Sequence, residues 1–149
     1  MGVYDDLRAK ALAVTAAEAG GTVDEVHGAL LETTMDNGVY TLLCLADGTT
    51  SLYLSSGGGV IGGGAHPPVV AANAAFLAAV TAHLAAFGPD PDGALPPVGG
   101  TTLRALTRGG RRALTAPEED LGEGRHPASP VFYAAHEVIA RLRHLMPQP

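Results

Sequence analysis

The residues best suited to chemistry lie between positions 55 and 66, where two serines and a histidine flank a run of glycines. Six of the eight positions from Gly57 to Gly64 are glycine. Bare backbone amides followed by the amino terminus of a helix can bind an anion or a phosphate. A hydroxyl and an imidazole beside such amides would suit acyl transfer, as nucleophile, base and oxyanion hole. The candidate ligand-binding residues are Ser55, Ser56, Gly57, Gly58, Gly59, Gly62, Gly63, Gly64 and His66.

The surroundings of this glycine-rich segment limit what it can bind. Residues 57–62 match the pattern G-x-G-x-x-G, but a dinucleotide fold needs a parallel βαβ unit, and the preceding strand is predicted to belong to an antiparallel hairpin. No lysine follows Gly64, so the segment is not a Walker A loop, and no G-x-S-x-G elbow presents a serine nucleophile. A structural turn or a flexible interaction loop is the other interpretation. We assign no catalytic residue.

Other reactive residue types give weaker signals. The two histidines closest together on one predicted helix, His136 and His144, are two turns apart and too distant to share a metal ion. The single cysteine, Cys44, lies among leucines and is expected to be a buried, inert thiol that cannot form an intramolecular disulfide. We expect no metal site and no cofactor.

The overall composition is that of a single globular domain over residues 1–149, with 46% hydrophobic and 16% charged residues. The net charge of −6, without a broad basic face, argues against nucleic-acid binding.

The alanine-rich run 69–87 approaches the length of a membrane span, but its Asn73, Thr81 and His83 indicate a buried helix instead. The acidic start is not a secretory signal, so we expect a cytoplasmic protein without a membrane partner. One lysine beside eight arginines is typical of a high-GC bacterial genome.

The elements that position these residues are predicted from periodicity and turn residues. Helical spacing predicts helices over 3–19, 69–87 and 129–146. Asn37-Gly38 and Asp47-Gly48 predict a three-strand meander, and Gly109-Gly110 predicts a second hairpin. Residues 22–31 fit either a helix or a strand. The predicted fold is α+β, an antiparallel sheet of a three-strand meander plus a C-terminal hairpin with three helices packed on it.

Two-residue turns also predict the register of the meander. They would place Leu42 opposite Tyr53, on a face that is half covered or forms an interface with a partner. Around the second turn, four arginines, at positions 104, 108, 111 and 112, are expected to form a solvated turn; the alternative is contact with an acidic partner or with the chain's own acidic residues 118–120. The candidate interaction residues are Leu42, Tyr53, Arg108, Arg111 and Arg112.

The order helix, three-strand meander, helix, hairpin, helix resembles that of the small roadblock/longin and profilin-like domains, and the Asp47-Gly48 hairpin is the nearest residue-level likeness. That resemblance implies dimers that regulate or scaffold a small GTPase, and it assigns no catalytic residue. We therefore expect a non-catalytic protein–protein interaction or regulatory module, a homodimer or part of a bacterial complex. The alternative is a domain that binds a small molecule, a nucleotide or another anion through residues 55–66. Such a domain could also be an enzyme. A third hypothesis is an acidic inhibitor of a basic toxin or enzyme.

Overall fold

The computed structural model describes residues 2–19, 26–60 and 62–145. Within them, one antiparallel sheet of seven strands is flanked by four helices, so the α+β fold is confirmed. The elements in chain order are α1 (Val3–Leu12), β1 (Val26–Met35), β2 (Gly38–Leu45), β3 (Thr50–Leu54), β4 (Gly59–Val60), α2 (Pro67–Ala82), β5 (Gly88–Pro89), β6 (Gly100–Thr107), β7 (Gly110–Pro117), α3 (Glu118–Gly122) and α4 (Ser129–Arg143). The strand order across the sheet is β4-β3-β2-β1-β6-β7-β5. The counts exceed the predicted ones because β4, β5 and α3 are short elements in segments for which no helix or strand was predicted.

The helix predicted over 3–19 was too long, since α1 ends at Leu12. Thr15 and Glu18 explain the early end. The Thr15 hydroxyl accepts from the Glu18 amide at 3.2 Å, and the Glu18 carboxylate accepts from the Thr15 amide at 3.0 Å. This reciprocal pair is a capping box, which begins a new turn instead of extending the old one. Of residues 22–31, predicted as either helix or strand, 26–31 are strand, whereas 22–25 lie outside the described residues.

In two hairpins, the glycine predicted to lie in the turn is instead the first residue of the next strand. Met35 pairs with Gly38, and Thr107 pairs with Gly110, so the loops are residues 36–37 and 108–109. Gly38 and Gly110 have φ of 145° and 121°, a region that favours glycine. The turns were therefore predicted one residue too late.

The predicted register of β2 and β3 is also wrong by one residue. Leu42 pairs with Leu52, and Tyr53 pairs with Thr41. The cause is a three-residue loop, 46–48, in which the Asp47 carboxylate accepts from the Thr49 amide at 2.9 Å. Because successive side chains of a strand point to opposite faces of the sheet, a register shift of one residue exchanges the faces of the paired side chains. Leu42 and Tyr53 thus lie on opposite faces of the sheet, not on the same one.

The sheet has a hydrophobic core on each face. On one face, α2 and α4 pack over strand residues that include Leu31, Leu42 and Leu103. On the other, α1 packs over residues that include Leu30 and Leu106. Cys44 is fully buried in the first core, and burial raises the pKa of its thiol, in keeping with the predicted inert cysteine.

A buried carboxylate lies beneath α1, on the second face. The side chain of Glu32 is fully buried on β1. Its Oε2 accepts from Arg8 Nε and from Thr41 Oγ1, both at 2.7 Å. Its Oε1 accepts from Arg8 Nη2 at 2.9 Å and from Arg104 Nη1. Both oxygens are therefore hydrogen-bonded twice, which a buried charge requires.

The same arginines bind the loop that leads into β6. Arg104 Nε donates to Asp90 Oδ2 at 2.8 Å, and Arg104 Nη2 donates to the Ala94 carbonyl. Arg8 Nη2 donates to the Gly93 carbonyl. We call Arg8, Glu32, Asp90 and Arg104 the buried ion network. It connects α1, the 90–94 loop and the two central strands.

Removal of the Glu32 charge would take away the carboxylate that pairs with Arg8 and leave Arg104 with Asp90 alone. We expect Glu32→Gln to lower the free energy of unfolding by about 3 kcal/mol, since breaking a buried pair costs far more than losing an exposed one. Urea unfolding measures this. The matched control is Glu137→Gln, which breaks an exposed pair with Arg141 (2.8 Å) and should cost less than about 1 kcal/mol. Equal losses in the two variants would contradict a structural role for the network.

Candidate functional site

The first half of the glycine-rich segment forms the turn between β3 and β4. The Leu54 amide donates to the Gly58 carbonyl at 3.2 Å. Ser55 is bound to the neighbouring strand, because its Oγ accepts from the Val39 amide at 2.8 Å and its own amide donates to the Val39 carbonyl at 2.9 Å. Ser56 and Gly57 are exposed. The serine hydroxyl therefore holds the turn and is not paired with an imidazole.

Gly63 and Gly64, in the second half of the segment, are glycine for reasons of packing. A Cβ on Gly63 would lie 2.7 Å from Leu142 Cδ2, and one on Gly64 would lie 2.7 Å from the Gly48 carbonyl oxygen. Gly59 has a φ of 142°, and its backbone lies close to that of β3, with which it pairs. His66 is exposed and precedes α2, where its carbonyl accepts from the Val69 and Val70 amides. A bulky residue at 59 or 63 would thus test packing, not ligand contact.

The segment does not converge on one cavity. Ser55, Ser56, Gly57 and Gly58 line a cavity of about 450 Å³ together with the amino end of α1. The described residues of the remainder, 59–60 and 62–66, are not among its lining residues, and these include Gly62.

The candidate interaction residues are also dispersed. Leu42 is fully buried beneath α2 and α4, so it cannot contact a partner in this fold. Tyr53 is partly buried on the α1 side and lines the 450 Å³ cavity. Arg111 donates to the Pro91 carbonyl at 3.1 Å and so holds the loop. Arg108 lies in the β6–β7 turn and Arg112 in β7. Of the acidic residues 118–120, Glu119 and Asp120 pair with Arg125, whose Nη2 lies 3.0 Å from Asp120 Oδ1.

Sequence reasoning missed a cavity between α4 and the outer strands, which we call the α4 cavity. Its volume is about 490 Å³. Its helical wall comes from positions 136, 139, 140 and 143, which share one face of α4 because they follow helical spacing. Its floor comes from β2 and β3, where Tyr40 pairs directly with Leu54. The lining residues are Met35, Tyr40, Leu52, Leu54, His136, Ile139, Ala140 and Arg143.

Two titratable groups of this cavity are held in their neutral forms. Burial raises the pKa of Tyr40 to about 12, and its hydroxyl donates to Glu118 Oε2 at 3.1 Å. Burial lowers the pKa of the His136 imidazole. That ring stacks at 4.3 Å, centroid to centroid, on Phe132 and meets the edge of Tyr40 at 6.3 Å. At neutral pH the cavity therefore holds an uncharged phenol and an uncharged imidazole.

The imidazole has an unused hydrogen-bonding atom. His136 Nε2 is buried and has no hydrogen-bond partner within 2–19, 26–60 and 62–145. Thr34 Oγ1 and His27 Nδ1 are the two other such atoms there, and His27 already binds the Val14 carbonyl through Nε2 at 2.9 Å. A buried polar atom without a partner is costly, so a ligand atom that bonds to Nε2 would be stabilised.

Comparisons with protein-family models, curated sequences and solved structures find no match for this chain. The resemblance to roadblock and longin domains stays a prediction. In the described part of the chain, histidine, cysteine and carboxylate side chains form no group of three that could hold a metal ion. No helix in that same part is long and apolar enough to cross a membrane.

The lowered pKa of His136 predicts a pH-dependent stability. The unfolded chain takes up a proton near the ordinary pKa of 6.5, whereas the folded chain resists it, so stability falls as the pH drops below that value. Between about pH 7 and about pH 5, we expect the free energy of unfolding of His136→Phe to fall less than that of the unmodified chain. Urea unfolding at a series of pH values measures this.

The matched control is His144→Phe, which replaces an exposed histidine just beyond α4. It should keep the pH dependence of the unmodified chain. Identical pH profiles for His136→Phe and the unmodified chain would contradict a buried, neutral imidazole.

Proposed function

We propose that this chain is a non-catalytic binding module that takes up a small, mostly apolar molecule in the α4 cavity. The observation that carries the proposal is an apolar cavity lined by His136, whose buried Nε2 has no hydrogen-bond partner among the described residues. Ligand pockets in proteins range from about 300 to about 1,000 Å³ and combine apolar walls with a few polar groups. The α4 cavity has that volume and that lining. A ligand hydroxyl or amide that bonds to Nε2 would satisfy it.

The titratable groups favour binding over acid–base chemistry. A general acid or base works best with a pKa near the working pH, whereas the pKa of Tyr40 is about 12. The Tyr40 hydroxyl is also occupied by Glu118.

A ligand in this cavity would contact β2, β3 and α4 together and cover part of the exposed Met35. Such a ligand would change the surface around Met35 that is available for contact with another protein.

Filling the cavity from the helix tests the proposal. Ala140 is exposed and lines the cavity, so Ala140→Trp adds a side chain there without removing a buried contact. We expect the unmodified chain to bind the neutral dye N-phenyl-1-naphthylamine, with displacement by octan-1-ol, and Ala140→Trp to bind the dye at least about tenfold more weakly. The readout is dye fluorescence.

The matched control is Ala75→Trp on an exposed position of α2, which does not line the α4 cavity. It should bind the dye like the unmodified chain. If the unmodified chain does not bind the dye, or if both tryptophan variants bind it equally well, the proposal fails.

A second candidate function is protein–protein contact, with a second copy of this chain as the partner. It is favoured by an apolar surface that passes around the end of β3. Leu54 lines the α4 cavity on one face of the sheet and the 450 Å³ cavity on the other. The latter is bordered by Val3 and Leu95, which are 74% and 44% exposed. Exposed apolar patches of this kind mark interaction sites.

A charge at this surface tests the dimer. Sedimentation velocity over a range of concentrations should show a reversible dimer, and Leu95→Glu should weaken it by about tenfold or more in Kd. Val70→Glu, at a residue of α2 that is 37% exposed, is the matched control and should leave the dimer unchanged. A chain that stays monomeric at every concentration would contradict this second function.

A further inference from the structure

An arginine at the other end of the α4 cavity has no counterion within residues 2–19, 26–60 and 62–145. Arg143 lies seven residues after His136 on the same face of α4, about 10 Å further along the helix axis. It is exposed, and among the described residues it has no hydrogen bond or ion pair. Arg141, two residues earlier, is paired with Glu137 at 2.8 Å. The cavity is therefore apolar in its middle, with an unused cation at one end and an unused imidazole nitrogen at the other.

Arg143 is close enough to act on the polar groups of the cavity. Burial is the main reason why the pKa of His136 is lowered, and the charge of Arg143 lowers it further. The same charge opposes the rise in the pKa of Tyr40. The groups that face His136 are thus Tyr40 from β2, Glu118 from α3 and Arg143 from its own helix.

We infer that the molecule taken up in the α4 cavity is an amphipathic monoanion with a carboxylate head and an alkyl tail. This inference rests on the proposed function. The carboxylate pairs with Arg143, whose planar guanidinium matches the two oxygens of a carboxylate. The tail lies over Leu52, Leu54 and Ile139.

The balance of charge favours one negative charge on the ligand. Glu118 lies on the same side of the molecule and accepts from Tyr40, so its carboxylate repels any anion that approaches. A single guanidinium pairs with one negative charge, so the second charge of a dianion such as a phosphate monoester would lie near Glu118 with no cation of the cavity to pair with. A cationic ligand would be repelled by Arg143 at the point where it enters.

Three probes of equal chain length separate the head group from the tail. Octanoate, octan-1-ol and octylamine are titrated calorimetrically into the unmodified chain at about pH 8, where octanoate is ionised and His136 is neutral. We expect octanoate to bind about three- to fivefold more tightly than octan-1-ol, the size of effect that an exposed ion pair supplies, and octylamine to bind most weakly. Because the head group is exposed, added salt should reduce the preference.

Two variants with the same change in net charge locate the head group. Arg143→Gln should bind octanoate and octan-1-ol equally, whereas Arg141→Gln, on the same helix, should keep the preference for octanoate. Thermal unfolding of both variants verifies that each is folded. If Arg141→Gln loses the preference to the same extent as Arg143→Gln, the effect is one of net charge and the carboxylate site is disproved.

The outcomes also separate this inference from the function on which it rests. If octan-1-ol binds as tightly as octanoate and Arg143→Gln changes neither, the head-group assignment is wrong and the apolar binding module stands. If none of the three probes binds to the unmodified chain, both the binding module and its head-group preference are wrong.

Discussion

The buried carboxylate of Glu32 is the constraint on which the rest of the fold depends. A carboxylate in the protein interior is costly unless every lone pair finds a donor, and here the donors come from α1, β2 and β6. Thr41 can reach Glu32 because the two residues pair directly across β1 and β2. A slip of one residue would turn Glu32 towards the core beneath α2 and α4, away from both arginines. The ion network therefore fixes the register of the central strands as well as the position of α1.

The composition of the α4 cavity follows from that register. Because Thr41 faces Glu32, its neighbour Tyr40 faces the opposite side of the sheet, where it pairs with Leu54 below α4. The polar network on one face thus determines which side chains line the cavity on the other. A change to the charged residues could alter the cavity without touching any residue that lines it.

The sequence was sufficient for those features that depend on local signals. Helical spacing predicted α2 and α4, and turn residues predicted the hairpins, but a turn dipeptide does not determine the loop length. The side chain of Asp47 bonds to the Thr49 amide and thereby produces a three-residue loop, which reversed the predicted faces. The helical wall of the α4 cavity had a signal in the spacing of positions 136–143, whereas its floor depended on that register.

Glu32 and Arg104 are 72 positions apart, a separation at which no local pattern could have predicted their contact. The glycine-rich segment had the strongest composition signal, yet much of it reflects close packing and a tight turn.

The buried carboxylate of Glu32 and the buried imidazole of His136 differ in how their polar atoms are satisfied. Beneath α1, each oxygen of Glu32 has two donors. Beneath α4, the Nε2 of His136 has no partner in the described residues, at a cost of about 1–3 kcal/mol for a buried group of this kind. Thr34 Oγ1 and His27 Nδ1 are also unpartnered in the described residues, so the binding role of His136 rests on its unpartnered nitrogen together with the apolar lining of its cavity. Local rules are broken most often where a site needs them to be. A ligand that bonds to Nε2 would regain that energy on binding, and the folded chain without ligand would remain less stable than its packing allows.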